Sequence, residues 1–149
     1  MINTIDFQEK FLGVKEIKGA ESNPFILRII KWILPEAKDD SGVAWCAIWV
    51  VYVLFKLNVF TINDIIKHGK KLVSSRYVAS LLEATNIPEK GDIVLLWRES
   101  PESWKGHIAF FQTTFEEFVY LRGGNQNDSV SDARFLKSRV LGYYKPKKK

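Results

Sequence analysis

The chain has 149 residues, 46% of them hydrophobic and 13% aromatic, enough to bury one core. One cysteine rules out an internal disulfide framework, and the longest apolar stretch, Val43 to Leu57, is too short and too interrupted to span a bilayer. The net charge of +5 favours anionic partners, but four of the 22 basic residues are Lys145, Lys147, Lys148 and Lys149, which read as a solvated Lys-rich tail over 145–149. No DNA- or RNA-binding motif accompanies the charge, so neither nucleic acid nor membrane is expected as a partner.

The first half reads as helices. Asp6 is placed to cap a short helix ending near Gly13. Asn23-Pro24 combines a cap residue with proline at the first helical position, and Phe25, Ile26, Ile29, Ile30 and Ile33 follow at helical spacing until Pro35. The polar stretch Asp39-Asp40-Ser41-Gly42 leads through Val43-Ala44-Trp45 to Cys46, which opens a helical run to Leu57. Thr61 with Asp64 has capping-box spacing, and Ser74-Ser75 begins another helix with Tyr77, Val78, Leu81 and Leu82 inward.

The second half changes period. Pro88-Glu89-Lys90-Gly91 is a turn signal before the strand Asp92–Trp97. His107–Phe111, Phe118–Arg122 and Ser138–Tyr144 read as three more strands, the first two joined through the polar connection Thr113–Glu117. Helices first and antiparallel strands after predict a single α+β domain over 1–149, with the Cys46 helix packed on the sheet that carries His107.

The chemistry concentrates on Cys46, His107 and Asn125, a thiol, an imidazole and an amide in the chain order of a Cys–His–Asn hydrolase. A thiol at a helix N-terminus meets unpaired N–H groups and the helix dipole, both of which favour thiolate. His107 follows Gly106 at the start of a strand, whereas the other histidine, His68, lies among Lys67, Lys70 and Lys71 at a helix end, where no base is expected. Asn125 follows Gly123-Gly124 and is placed to accept the imidazole N–H, with Gln126 and Asp128 as reserves. The competing structural readings are a buried core cysteine, an edge-strand histidine and an ordinary Gly-Gly-Asn turn. Zinc is disfavoured because the histidines and the cysteine lack ligand spacing, and no cofactor is expected. No G-x-S-x-G elbow is present.

The blocks Trp45-Cys46-Ala47, Gly91-Asp92-Ile93-Val94, Gly106-His107-Ile108-Ala109-Phe110 and Gly123-Gly124-Asn125-Gln126, in that order, resemble the CHAP branch of the NlpC/P60 superfamily. Upstream, Gly13 to Ile17, Gly19 and Asn23-Pro24 fit the same group, so the likeness runs roughly from Phe11 to Pro146. It implies a papain-like fold and a cysteine peptidase or amidase acting on bacterial peptidoglycan. Cys46 would be the nucleophile, His107 the base and Asn125 the orienting residue. Many members carry an acidic residue two positions before that Asn, where this chain has Gly123, and papain-like enzymes often have an upstream glutamine, which 36–45 lack. Oxyanion stabilisation would then fall to the Cys46 N–H with protonated Asp40, or to Ser41, with Gln126 in support. Trp45, Trp97 and Trp104 are candidate walls of a substrate groove, with core roles as the other reading.

No secretory signal is visible in Met1–Asp6, so the expected route is synthesis in the cytoplasm. The chain would then reach the periplasm or wall by release, as a phage endolysin, or by injection, as an effector. An export apparatus or an immunity protein would be a further partner, and the chain itself is expected to be monomeric. The departures at Gly123 and upstream of Cys46 favour one alternative, a non-catalytic wall- or protein-binding module on the same scaffold.

Overall fold

The computed structural model describes residues 3–17, 23–38 and 44–149. Five α-helices are present among them: α1 (Thr4–Phe7), α2 (Pro24–Ile33), α3 (Cys46–Lys56), α4 (Ile62–His68) and α5 (Ser75–Ser80). They precede six strands: β1 (Leu82–Thr85), β2 (Ile93–Trp97), β3 (Gly106–Phe115), β4 (Phe118–Gln126), β5 (Ser129–Leu136) and β6 (Val140–Lys148). The strands form one antiparallel sheet in the order β1-β6-β2-β3-β4-β5. The fold class is therefore α+β, helices first, as expected. Among the described residues no helix is long and apolar enough to cross a membrane.

The helix starts follow from local chemistry. Asn23 Oδ1 accepts the N–H of Phe25 at 2.9 Å, and Pro24 occupies the first turn of α2, where no N–H is needed. Thr61 and Asp64 form the full capping box of α4, and Ser74 caps α5 through the N–H of Tyr77. At α1 the cap is Asn3 rather than Asp6: Asn3 Oδ1 accepts the Asp6 N–H at 2.9 Å, and Asp6 sits in the first turn.

Helix α3 is the centre of the core. Cys46 through Val51, with Val53 and Leu54, are all buried, so the helix is apolar on nearly every side. It packs on β3 and β4 and is flanked by α2 and α5. Each fully buried Val or Ile contributes on the order of 1.5–3 kcal/mol, so this helix anchors the helical layer to the sheet. Its polar demands are met within the core: Trp49 Nε1 donates to Gln8 Oε1 at 2.8 Å, and Gln8 Nε2 donates to the Thr4 carbonyl.

Strand alternation divides the sheet. Ile93, Leu95, Ile108 and Phe110 join the helical core. Their neighbours Val94, Leu96, Ala109 and Phe111, with Val119 and Leu121, build a second apolar cluster from the sheet alone.

Three expectations are corrected here. Leu82 belongs to β1 instead of extending α5, whose hydrogen bonding ends near Leu81. The polar segment after Gln126 turns tightly and forms β5, so the sheet is longer than the four strands that the apolar runs mark. Three of the four lysines read as a solvated tail are the end of β6: Lys145 pairs with Asp92 at 2.8 Å, Lys147 with Glu83 at 3.2 Å and Lys148 with Asp64 at 2.8 Å. Strand pairing with β1 and β2 holds this segment, and acidic partners face Lys145, Lys147 and Lys148.

Candidate active site

Cys46 is the first residue of α3, following Trp45 at the cap position. Its Sγ lies 3.4 Å from Ser75 Oγ, at the start of α5. The residue is only 2% exposed, yet it lines a cavity of about 240 Å³ together with Ala44, Ser75, Arg98 and Trp104. Cys46 is thus a core residue that borders a cleft. Burial opposes its ionisation, but a hydrogen bond to His107, the His107 charge, the Ser75 hydroxyl and the Ile108 backbone N–H outweigh burial. Together they bring the thiol down to about 7.

His107 is the second residue of β3, buried at the strand end next to the start of α3. Its Nε2 lies 3.0 Å from Gln126 Oε1, and its ring packs against Phe135 at 5.2 Å. The surroundings of Gln126 decide the direction of that hydrogen bond. Gln126 Nε2 donates to the carbonyls of Leu121 at 3.2 Å and Ser131 at 2.7 Å, so the amide oxygen must face the imidazole. His107 Nε2 is therefore the N–H donor, and Nδ1 is the nitrogen left with a lone pair for the thiol proton. The Gln126 carbonyl accepts from Ser129 Oγ and Ser131 Oγ, which fixes the residue at both ends.

Gln126, not Asn125, is thus the amide that meets the His107 ring. The cause is a bulge in β4. Between the pairs Gly123–Ser131 and Gln126–Ser129, β4 spends one residue more than β5, and Asn125 lies there at φ 58°. The extra residue reverses the in–out alternation and puts Gln126 on the face of Gly123. A Cβ at Gly123 would lie 3.3 Å from Gln126 Oε1 and 2.7 Å from Ala109 Cβ, so the bare backbone there makes room for the amide. A Cβ at Gly124 would lie 2.7 Å from the Trp45 ring. At Gly123 the packing of Ala109 and of the Gln126 amide thus leaves little room for a side chain. The signal for the bulge in the sequence is the asparagine itself, one of the few residues at ease in the left-handed region.

The other candidates separate. Asn125 makes no hydrogen bond to His107, but it lines a cavity of about 560 Å³ with His107, Gln126, Arg98 and Arg139. Asp128 lines the same cavity and lies at φ 58° in the turn between β4 and β5. Trp104 is 78% exposed and borders the Cys46 cavity, as a groove wall should. Trp45 does not: it is 1% exposed, its ring covers Gly124, and its Nε1 donates to Glu16 Oε2 at 3.2 Å. Trp97 lines neither cavity itself; its Nε1 donates to the Ser138 carbonyl at 3.3 Å in the turn before β6, and its ring lies against Arg139. Asp40 and Ser41, like Gly19, lie outside the described residues.

Two residues escaped the sequence reading as parts of the site. Ser75 was legible only as part of a helix start, yet its hydroxyl touches the thiol. Arg122 clamps Asp132 with Nε and Nη2 at 2.7 and 3.0 Å, and reaches Glu9 at 2.8 Å and the Ile5 carbonyl at 3.2 Å. It thereby ties α1 to β4 and β5 behind the site, and its guanidinium holds the Asp132 carboxyl below the usual carboxylate range. The Gly91-Asp92 block is structural: Asp92 Oδ2 accepts the Glu89 N–H and the Lys145 ammonium, both at 2.8 Å. Among the described residues no group of three or more His, Cys, Asp and Glu side chains is placed to hold a metal ion.

Comparison of the chain with protein-family models, with curated proteins and with solved structures returns no match. The chemistry of the site is thus read from its own geometry.

Proposed function

We propose that this chain is a cysteine hydrolase that cuts amide bonds in peptides of the bacterial cell wall, on a papain-like scaffold of the CHAP and NlpC/P60 kind. The observation that carries the reading is the relay from Gln126 through His107 to a thiol brought down to about 7 at the first residue of a buried helix. A structural cysteine gains nothing from such a relay, because burial alone raises a thiol.

The chemistry follows from the tautomer. His107 Nδ1 takes the Cys46 proton, and the sulfur attacks the amide carbonyl carbon. The carbonyl oxygen becomes an oxyanion, near the Cys46 N–H, one of the unpaired donors at the start of α3. As the C–N bond breaks, the imidazolium gives its proton to the leaving amine. Water then attacks the thioester, passing one proton to His107, and the C–S bond breaks to release the acid and restore the thiol. Gln126 keeps the ring in the one tautomer that serves both steps, and Ser75 donates to the sulfur while it is charged.

The wall as substrate rests on the sequence blocks, on the net charge of +5 and on the exposed Trp104 at the cleft rim. Delivery as an endolysin or an injected effector belongs to the same reading. The non-catalytic alternative draws on the missing acidic residue at Gly123 and the missing upstream glutamine; the Gln126 amide beside the imidazole answers the first of these. Mass spectrometry of muropeptides after digestion tests the proposal. New amine and carboxyl ends at one stem-peptide or muramoyl amide are the expected result. Unchanged muropeptides with properly folded protein would reject it.

A further inference from the structure

Arg98 lines both the cavity that Cys46 borders and the cavity that His107 borders. Its side chain makes no hydrogen bond or ion pair among the described residues. The other cations nearby are satisfied. Lys105 pairs with Glu99 at 2.6 Å, and Arg122 takes both Asp132 and Glu9. Arg134 lies over the Phe118 ring. Asp128, the remaining acid of the His107 cavity, bonds to neither guanidinium of the cleft.

Arg139 is the second cation of the cleft. Nε and Nη2 both donate to the Trp97 carbonyl, at 3.2 and 3.1 Å, and the guanidinium is set between the Trp97 and Phe135 rings. Burial pushes its pKa down, and the charge of Arg98 pushes it further. Arg98 is exposed and Arg139 half-buried, so two cations of like charge line the cavity beside His107.

We propose that Arg98, with Arg139 behind it, binds a carboxylate of the peptide substrate close to the scissile amide and makes the enzyme selective for acidic stem peptides. A guanidinium presents a planar fork of donors that fits a carboxylate and loses most of that fit against a neutral carboxamide. The inference rests on the hydrolase reading for its substrate, but the binding site stands on its own geometry.

The test uses a pair of soluble disaccharide–tetrapeptides, one with free stem carboxylates and one with those groups converted to carboxamides. Wild type should favour the free acid by about 10- to 100-fold in kcat/KM, the range for a hydrogen-bonded charge. Arg98→Gln should erase that preference chiefly through KM, and the pH profile of Cys46 alkylation should stay in place. Arg28→Gln, a remote loss of one charge, should keep the preference. Equal turnover of both substrates by wild type, or a preference retained by Arg98→Gln, overturns the proposal and leaves the hydrolase intact. If neither substrate is cut, calorimetric binding to Cys46→Ala decides. Preferential binding of the free acid, lost on adding Arg98→Gln, sustains the carboxylate site and rejects the hydrolase, whereas equal or absent binding rejects the carboxylate site.

Discussion

The two histidines of this chain sit in surroundings that look alike pair by pair and differ in what they can do. His68 Nδ1 lies 2.8 Å from the Tyr77 hydroxyl, with the two rings 5.6 Å apart, at the half-buried end of α4. His107 Nε2 lies 3.0 Å from an amide oxygen, with the Phe135 ring 5.2 Å away. Both rings are held by one hydrogen bond and one aromatic neighbour. Only at His107 does the imidazole act on a thiol, lowering its pKa, and only there does the fixing partner leave the ring with a defined lone pair. A hydrogen-bonded histidine is thus common structural furniture. The chemistry arises when the bond on one side prepares the nitrogen on the other.

The sharpest way to break this contrast is at the thiol. Cys46→Ala should lower amide hydrolysis at least ~1,000-fold with the far-UV spectrum unchanged; near-normal turnover by the folded variant would return His107 to the same class as His68. The orienting amide comes next. Gln126→Ala should cost about 10- to 100-fold in kcat, whereas Asn125→Ala should stay within a few-fold of wild type, because Asn125 serves the bulge rather than the ring. A larger loss at Asn125 than at Gln126 would reverse the assignment.

Titration separates the environments further. Iodoacetamide alkylation of Cys46 should rise with pH through a midpoint near 7, because the thiolate is the reactive form and its pKa is lowered to about 7. In His107→Ala the opposing burial is left with less to offset it, so the midpoint should move upward, while in His68→Ala it should stay in place. A midpoint unmoved by loss of His107 would show the two rings to be equivalent. Last and smallest, His68→Ala should leave turnover within about twofold and cost on the order of 1 kcal/mol of stability in urea unfolding, the scale of one partly buried hydrogen bond.

The helical layer also carries a pH signature that is independent of the site. Lys148 leads the groups that hold the Asp64 carboxyl down to about 2. A depressed carboxyl stabilises the fold above its ordinary range near 4 and loses that contribution as pH falls through about 2. Asp64→Asn should therefore lower the melting temperature at pH 6, and the difference from wild type should shrink between about pH 4 and 2, read by circular dichroism.

Much of this was legible before any coordinates. Caps at Asn23 and Thr61, the apolar helix from Cys46 and the strands around Ile93 and Ile108 are local patterns, and the described chain follows them. β5 was not legible, because Ser129 to Leu136 has neither a strict polar–apolar alternation nor a strong apolar run, and pairing with β4 supplies what propensity does not. The end of β6 escaped for the opposite reason: its lysines look solvated until Asp64, Glu83 and Asp92 are brought alongside.

The residue types alone determined that a thiol would head a buried helix and that an imidazole would open a strand, since capping, period and apolar content act over a few neighbours. Which amide would meet the imidazole was decided only in three dimensions. One extra residue in β4 inverts side-chain parity, and parity in a sheet has meaning only against the strand next door.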